Sequence, residues 1–240
     1  MNIFSIVIPA HNEELYIADC IRSILDASVP SEYSIEIIVV DNDSSDQTPS
    51  RAAQFPQVRV IHESRRGTNF ARQAGASRAR GSLIGFIDAD NRIPSDWIIA
   101  TTKLFTANPT LVLVSGPYRF YDASLRHKRI STFYWHIAAV LARITGVMAV
   151  GGNMVIKKDA LDSIGGFDTS ITFYGDDTDI ARRLRRVGTV LFRTNLWLFS
   201  SARRLKKHGL LVSGFLYVVN YFSELIFHRP ATNTHENIRN

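Results

Sequence analysis

Ser82-Leu83-Ile84-Gly85-Phe86-Ile87-Asp88-Ala89-Asp90 decides the fold: a short apolar run that ends by delivering two carboxylates with one small residue between them. An apolar run of about four to eight residues bounded by turn formers reads as a strand buried in a parallel sheet, and such sheets bind ligands outside the carboxyl ends of their strands. Asp88 and Asp90 therefore fall where ligands go. Residues two apart on extended backbone point to one side, so the pair can converge on a hard cation that keeps part of its water and grips a diphosphate. The same acids also suit a plainer role, one capping the helix that starts near Pro94 and the other solvated, and this stretch alone leaves both open.

Upstream, the pattern of strand, turn and helix repeats. Ile3–Ile8 reads as a strand that stops at Pro9, followed by the loop Ala10-His11-Asn12. A helix is predicted from Glu13 to about Ala27, because Ile17, Cys20, Ile21, Ile24 and Leu25 recur at helical spacing, with Asn12 as its cap. The β-branched run 35–40 is a second strand, ending in Asp41-Asn42-Asp43-Ser44-Ser45-Asp46. A helix to about Gln54, a strand over 58–61 and a helix over about 69–80 lead back to the opening run. A helix over 96–107 and a strand over 111–115 follow. This alternation predicts a parallel, right-handed α/β arrangement. The texture changes after Pro117, which divides the chain into a first half (1–117), a second half of the same domain (118–200), and a C-terminal helical extension (201–240).

Acidic groups recur at the predicted strand ends. Asp41 closes the second strand beside the loop carrying His11 and Glu13, and a carboxylate there can accept hydrogen bonds from a base or ribose. Asp43 and Asp46 read as turn caps. Further on, Gly175-Asp176-Asp177-Thr178-Asp179 heads a helix predicted over 180–186. Clustered acids raise one another's pKa while a helix N-terminus lowers it, so one of them can serve as a base near neutrality, although helix capping accounts for the cluster as well. No glycine-rich phosphate cradle follows the first strand, so a diphosphate here needs metal and side chains to neutralise it.

Composition bounds the partners. The chain has 240 residues, 45% hydrophobic and 21% charged, which excludes disorder as the default. Its net charge of +6 is uneven: residues 1–180 hold 17 Lys+Arg against 20 Asp+Glu, whereas 181–240 hold 11 against 2. A basic C-terminal quarter suits nucleic acid, anionic lipid or a phosphorylated substrate, and charge does not choose among them. The single cysteine, Cys20, excludes an internal disulfide or a Cys-based zinc site and reads as a buried thiol. The N-terminus lacks the basic segment and the long apolar run of a signal peptide and reads as a strand, so the expected location is cytoplasmic. Two later segments, 130–150 and 210–227, mix aromatic and aliphatic residues with cations. The second follows Arg203, Arg204, Lys206 and Lys207 and reads as an interfacial helix rather than a span, with packing on the protein's own core as the alternative.

Taken in order, SIVIPAHNEE, IIVVDNDSSDQT, GTNFARQAGASRARGSLIGFIDAD, GGNMVIKKDALDSIGGFD and YGDDTDIARRL make the chain resemble a family 2 glycosyltransferase over about residues 3–193. The resemblance implies a GT-A fold, a Rossmann-like, mainly parallel sheet flanked by helices, and transfer from a nucleoside-diphosphate sugar, UDP-sugar first, with inversion. It implies that Asp41 binds the donor base, with Pro9, Ala10, His11 and Glu13 lining that pocket and Arg72 near the nucleotide. Asp88, Ala89 and Asp90 match the DxD motif, Asp90 as direct ligand of Mg²⁺ or Mn²⁺ and Asp88 nearer the ribose and the metal's water. Asp177 matches the catalytic base, with Asp176 in place of a glutamate. Gly151, Gly152 and Asn153 match the loop that approaches the acceptor, and Asp176, Arg203 and Arg204 are placed on that side too. Processive members carry Gln-x-x-Arg-Trp after the base, whereas Ser200-Ser201-Ala202-Arg203-Arg204 stands here, which points to single-sugar transfer. The expected acceptor is a glycan or a polyprenyl-linked sugar, with peripheral binding to an anionic cytoplasmic membrane face and no nucleic-acid partner. A nucleotidyltransferase and a non-catalytic scaffold on this fold are the rival readings.

Overall fold

The computed structural model describes residues 2–171, 175–203, 210–227 and 231–232. Arg204, Lys206 and Lys207 lie outside them. Four parallel strands, β1 (Asn2–Ala10), β2 (Tyr33–Asp41), β3 (Val58–His62) and β4 (Leu83–Ile87), form one side of the main sheet. The helices between them are α1 (Ile17–Leu25), α2 (Thr48–Ala52) and α3 (Thr68–Arg78). After β5 (Asn91–Arg92) and α4 (Trp97–Ala107) come β6 (Leu111–Ser115), β7 (Tyr118–Phe120) and α5 (Leu125–Thr145). The chain continues through β8 (Asn153–Lys157), α6 (Lys158–Ser163), α7 (Asp176–Leu184), β9 (Thr189–Phe192), β10 (Leu198–Ser200) and α8 (Leu210–Phe227).

The seven-stranded sheet has the order β3-β2-β1-β4-β8-β6-β9, so residues before and after Pro117 share one sheet, and β5-β10-β7 form a small second one. Register sets the site. Ala10 pairs with Asp41 and Asp41 with His62, which puts the loops after β1, β2 and β3 side by side. β8 runs antiparallel to β4, with Asn153 opposite Ile87, so the Gly151-Gly152 loop meets the chain where it leaves β4.

Alternation along the strands makes two core layers. Phe4, Ile6 and Ile8 of β1 pack with Ile17, Ile21 and Ile24 of α1 and Trp97 and Ile98 of α4. On the other face Val7, Ile38 and Val40 meet Ala71 and Ala74 of α3, and Ile180 and Leu184 of α7 complete that layer. Small residues let α3 lie close: a Cβ on Gly75 would overlap Val7 and stand 3.1 Å from Cγ2 of Val40. Gly75→Ala is therefore expected to lose about 1–3 kcal/mol by overpacking, despite the better helix propensity of alanine, as read from urea denaturation.

The structure moves several expected boundaries. α1 begins at Ile17 rather than Glu13, because the amides of Glu13 and Glu14 donate to Thr48 Oγ1 (2.7 Å) and Asp46 Oδ2 (3.1 Å) across the neighbouring loop. Asn12 is left-handed (φ 52°) and does not cap α1: its Oδ1 accepts from the Ser45 amide at 2.8 Å. α7 starts at Asp176, so the acidic cluster lies inside its first turn instead of preceding it. α8 matches the expected 210–227, and among the described residues no helix is long and apolar enough to cross a membrane.

Candidate active site

The loops after β1 and β2 are stitched together by side chains. Pro9 and Ala10 are buried at the end of β1, and His11 Nδ1 lies 2.8 Å from the Asn42 carbonyl. Asp41, 5% exposed, holds its Oδ2 3.0 Å from His62 Nδ1 while its Oδ1 accepts from the Ser44 amide. Asn42 does what the sequence did not announce. Its Nδ2 donates to the carbonyls of Glu63 and Arg65, and its Oδ1 accepts from the Gly67 amide, so one buried amide ties the ends of β2 and β3 to the start of α3. A buried amide with three satisfied bonds fixes these loops in one arrangement.

β4 ends at Ile87, and Asp88-Ala89-Asp90 forms a turn closed by the Asn91 amide donating to the Asp88 carbonyl at 2.9 Å. The turn is anchored from below by Asn91, fully buried, whose Nδ2 donates to the Gly152 carbonyl at 2.8 Å. The two carboxylates meet different partners. Asp88 Oδ1 accepts from Arg72 Nη2 at 3.3 Å and its Oδ2 from the Tyr118 hydroxyl at 3.4 Å, whereas Asp90 Oδ2 faces Arg203 Nη2 at 3.0 Å. Arg203 also donates to Glu13 Oε1 and lies 4.7 Å over the Tyr16 ring. Arg203, expected on the acceptor side, thus meets Glu13 in the loop after β1 as well as Asp90. Asp122 holds the segment there by accepting from the Ala202 amide at 2.6 Å and the Ser201 hydroxyl at 3.2 Å.

Arg72 is the centre of the site. It is 3% exposed and reaches Asp88 with one Nη and Asp176 with the other. Burial works to lower its pKa, but the Asp176 and Asp88 charges outweigh that and keep the guanidinium protonated. Gly151 and Gly152 make room: a Cβ on Gly151 would stand 2.6 Å from Arg72 Nη2, and one on Gly152 would collide with Asp88. Asn153 faces inward, fully buried, accepting from Trp97 Nε1 (3.2 Å) and donating to the carbonyls of Pro117 (3.1 Å) and Leu196 (2.8 Å). Its side chain holds the loop that the two glycines present.

The three acids of α7 separate cleanly. Asp176 pairs with Arg72, and Asp179 pairs with Arg182 at 2.7 Å and Arg183 at 3.2 Å. Asp177 forms no ion pair among the described residues and accepts from the Thr178 amide at 2.9 Å. Protein packed around its carboxyl, and then the Asp176 charge, push its pKa up to about 7, against the pull of Arg72. A carboxyl poised there can take a proton at neutral pH.

The donor set for a cation consists of oxygens. Among the described residues no three His, Cys, Asp or Glu gather to hold a metal alone. Two carboxylates on one turn, completed by diphosphate oxygens and water, are nonetheless how a hard divalent ion is held, so Asp90 and Asp88 fit one. Tyr118, Asn91, Asn42 and Asp122 were not legible as site residues. Tyr118 and Asp122 stand in a region read only as a change of texture.

Comparison with known proteins agrees with this architecture. The model of glycosyl transferase family 2 matches residues 5–165. An uncharacterized glycosyltransferase of Bacillus subtilis strain 168, EpsJ, is 32% identical over 119 residues, covering 48% of this chain and 34% of that protein. The chain spans only about a third of that relative's length. In shape it is similar to the mannosyltransferase PcManGT of Pyrobaculum calidifontis, solved with GDP-Man and Mn²⁺, at a TM-score of 0.75 and 23% identity over 93% of this chain and 64% of that one. Glucosyl-3-phosphoglycerate synthase of Mycobacterium tuberculosis, solved with Mn²⁺, UDP-glucose and phosphoglyceric acid, gives 0.66 at 22% identity, over 92% and 79%. With its fold shared by these enzymes and two thirds of its length matched by the family model, the chain belongs to glycosyl transferase family 2.

Proposed function

We propose that this chain is an inverting glycosyltransferase that moves one sugar from a nucleoside-diphosphate sugar, UDP-sugar first, to a hydroxyl or phosphate of a glycan or polyprenyl-linked acceptor. One observation carries the reading. A single buried guanidinium, Arg72, joins the Asp88-Ala89-Asp90 turn to the acid pair whose second member, Asp177, forms no ion pair among the described residues and is poised near neutrality. A clamp for a leaving diphosphate and a general base on opposite sides of one fixed charge are what a direct displacement needs.

Asp41 receives the donor base, with Pro9, Ala10, His11 and Glu13 around it, and the diphosphate lies against the turn at Asp88 and Asp90. Asp90, with Asp88 beside it, would hold Mg²⁺ or Mn²⁺, which would neutralise charge on the departing nucleoside diphosphate. Asp177 takes the proton of an acceptor hydroxyl as its oxygen bonds to the anomeric carbon, and the pair of the breaking carbon–oxygen bond leaves with the diphosphate. Gly151 and Gly152 leave the approach open. The similar solved enzymes, with GDP-Man or UDP-glucose and Mn²⁺ bound, support this choice of donor and metal. A lipid-borne acceptor at a cytoplasmic membrane face fits the basic C-terminal quarter.

Screening UDP-, GDP- and dTDP-sugars for metal-dependent thermal stabilisation and slow hydrolysis tests the reading, and silence from all three classes overturns it. Asp90→Ala, or EDTA on the native chain, is expected to weaken donor binding by about tenfold or more, equivalent to about 1.4 kcal/mol. Glu13 keeps Arg203 in place in the variant, so the fold survives. Calorimetric affinity with Mn²⁺ that does not change on substitution removes Asp90 from the metal role.

A further inference from the structure

The helix α5 leaves most of its surface uncovered. Of its 21 residues only Ser131 and Ala138 are buried. Ile130, Phe133, Ile137, Val140 and Ile144 are exposed, Phe133 at 68% and Ile144 at 76%. Steps of three and four put these five on one face, a line of large apolar side chains about 21 Å long at the helical rise. A contiguous apolar strip of this kind on a folded domain marks an interaction surface.

Charge identifies the partner. From Ala123 to Lys158 the chain has no Asp or Glu, while Arg126, Lys128, Arg129 and Arg143 all fall on α5. Arg126 stands one turn before Ile130, Arg129 one turn before Phe133, and Arg143 one turn beyond Val140, so cations border the apolar line. A second copy of the chain would bring these like charges together across a symmetric contact, and two heptads are short for a coiled coil. An anionic bilayer surface takes both features at once: apolar side chains enter the headgroup and acyl boundary, and lysines and arginines face the phosphates. At the C-terminal end Thr145 Oγ1 lies 2.8 Å from the Tyr221 hydroxyl, and that hydroxyl donates to the Val147 carbonyl at 2.7 Å. This ties α5 to α8, which adds exposed Phe222, Ile226 and Phe227.

We infer that α5 is a membrane-docking helix that lies on anionic lipid by the Ile130–Ile144 strip. The opposite side of α5 supplies Lys128, Trp135 and His136 to a cavity of about 540 Å³ that Tyr118 and Phe120 also line. Docking holds this cavity one helix diameter, ~10 Å, from the lipid surface, and the Tyr118 contact with Asp88 links it to the site. The use made of docking rests on the lipid-borne acceptor reading above, but docking itself is measured without donor or acceptor.

The test is flotation of the chain with vesicles of phosphatidylcholine alone or with about one third phosphatidylglycerol. The native chain is expected to float with the anionic vesicles only, and to be released by salt. Phe133→Glu/Ile137→Glu is expected to weaken partitioning at least tenfold, with donor-induced thermal stabilisation unchanged. Arg126→Gln/Arg129→Gln/Arg143→Gln, which leaves the apolar strip intact, is expected to lose the preference for anionic vesicles and carries the test if the glutamate variant does not fold. Absence of flotation by the native chain, flotation of either folded variant at the native level, or a dimer in light scattering that the glutamate variant makes monomeric while flotation is absent, each overturns the inference. A native chain that hydrolyses sugar nucleotides yet ignores anionic vesicles loses only the docking helix. One that floats but acts on no sugar nucleotide loses only the transferase reading.

Discussion

Asp177→Asn is expected to cut sugar transfer by about 10³-fold, within the range general-base removal usually costs, and to leave donor affinity within about twofold. The amide keeps the size of the carboxylate and its bond from the Thr178 amide, but it cannot accept the acceptor's proton. Because Asp177 pairs with no cation among the described residues, the substitution strands no charge. Wild-type kcat is expected to fall about tenfold per pH unit below pH 7, as the carboxyl takes up its proton, and the limb vanishes in the variant. Stability moves the opposite way. A carboxyl held above its unfolded value of about 4 binds more protons folded than unfolded between that value and 7, so the wild type loses stability as pH rises through this window. Asp177→Asn avoids that loss and is expected to melt higher than wild type at pH 8, with the difference shrinking toward pH 4. Turnover within tenfold of wild type, or a kcat flat from pH 5 to 8, would remove the residue from the base role.

The separation of Asp177 from its neighbours marks how far the sequence can be read. The strands β1, β2, β4 and β6 stand out because each contains a continuous apolar or β-branched run, and continuity is the signature of burial on both faces. In the structure Asp41 closes β2, Asp88 and Asp90 follow β4, and Asp177 lies in the first turn of α7. What the sequence does not carry is pairing across distance. Arg72 lies 16 residues from Asp88 and 104 from Asp176, and Arg203 lies 190 from Glu13, so no local pattern reveals which guanidinium meets which carboxylate. β7 and β10 have three residues each, too few to show a period. Asn153 illustrates the limit in one residue: its motif points at the acceptor loop, while three hydrogen bonds turn its side chain into the interior, where only tertiary contacts could place it.

Arg72→Met is expected to destabilise the chain by about 3–5 kcal/mol, the cost of taking one partner from a buried ionic group. Methionine fills the stem's volume but leaves Asp88 and Asp176 facing each other's charge with their shared cation gone. The Tyr118 hydroxyl still reaches Asp88, so the larger share of the loss falls on Asp176, whose side chain is 15% exposed. Losing the positive charge also removes a pull that lowers the Asp177 pKa, so the acid limb of any residual activity moves above pH 7. Arg72→Lys restores charge but not the two-pronged reach, and is expected to recover most of the stability and little of the activity, because a single ammonium cannot hold both acids in their native orientation. A double-mutant cycle separates the interactions: Asp176→Asn placed on Arg72→Met neutralises the stranded carboxylate and is expected to win back about half of the loss, whereas on the wild type it costs stability. Urea denaturation of the four proteins at pH 7.5 reads the cycle, and a coupling energy near zero would mean that solvent, not Arg72, balances Asp176.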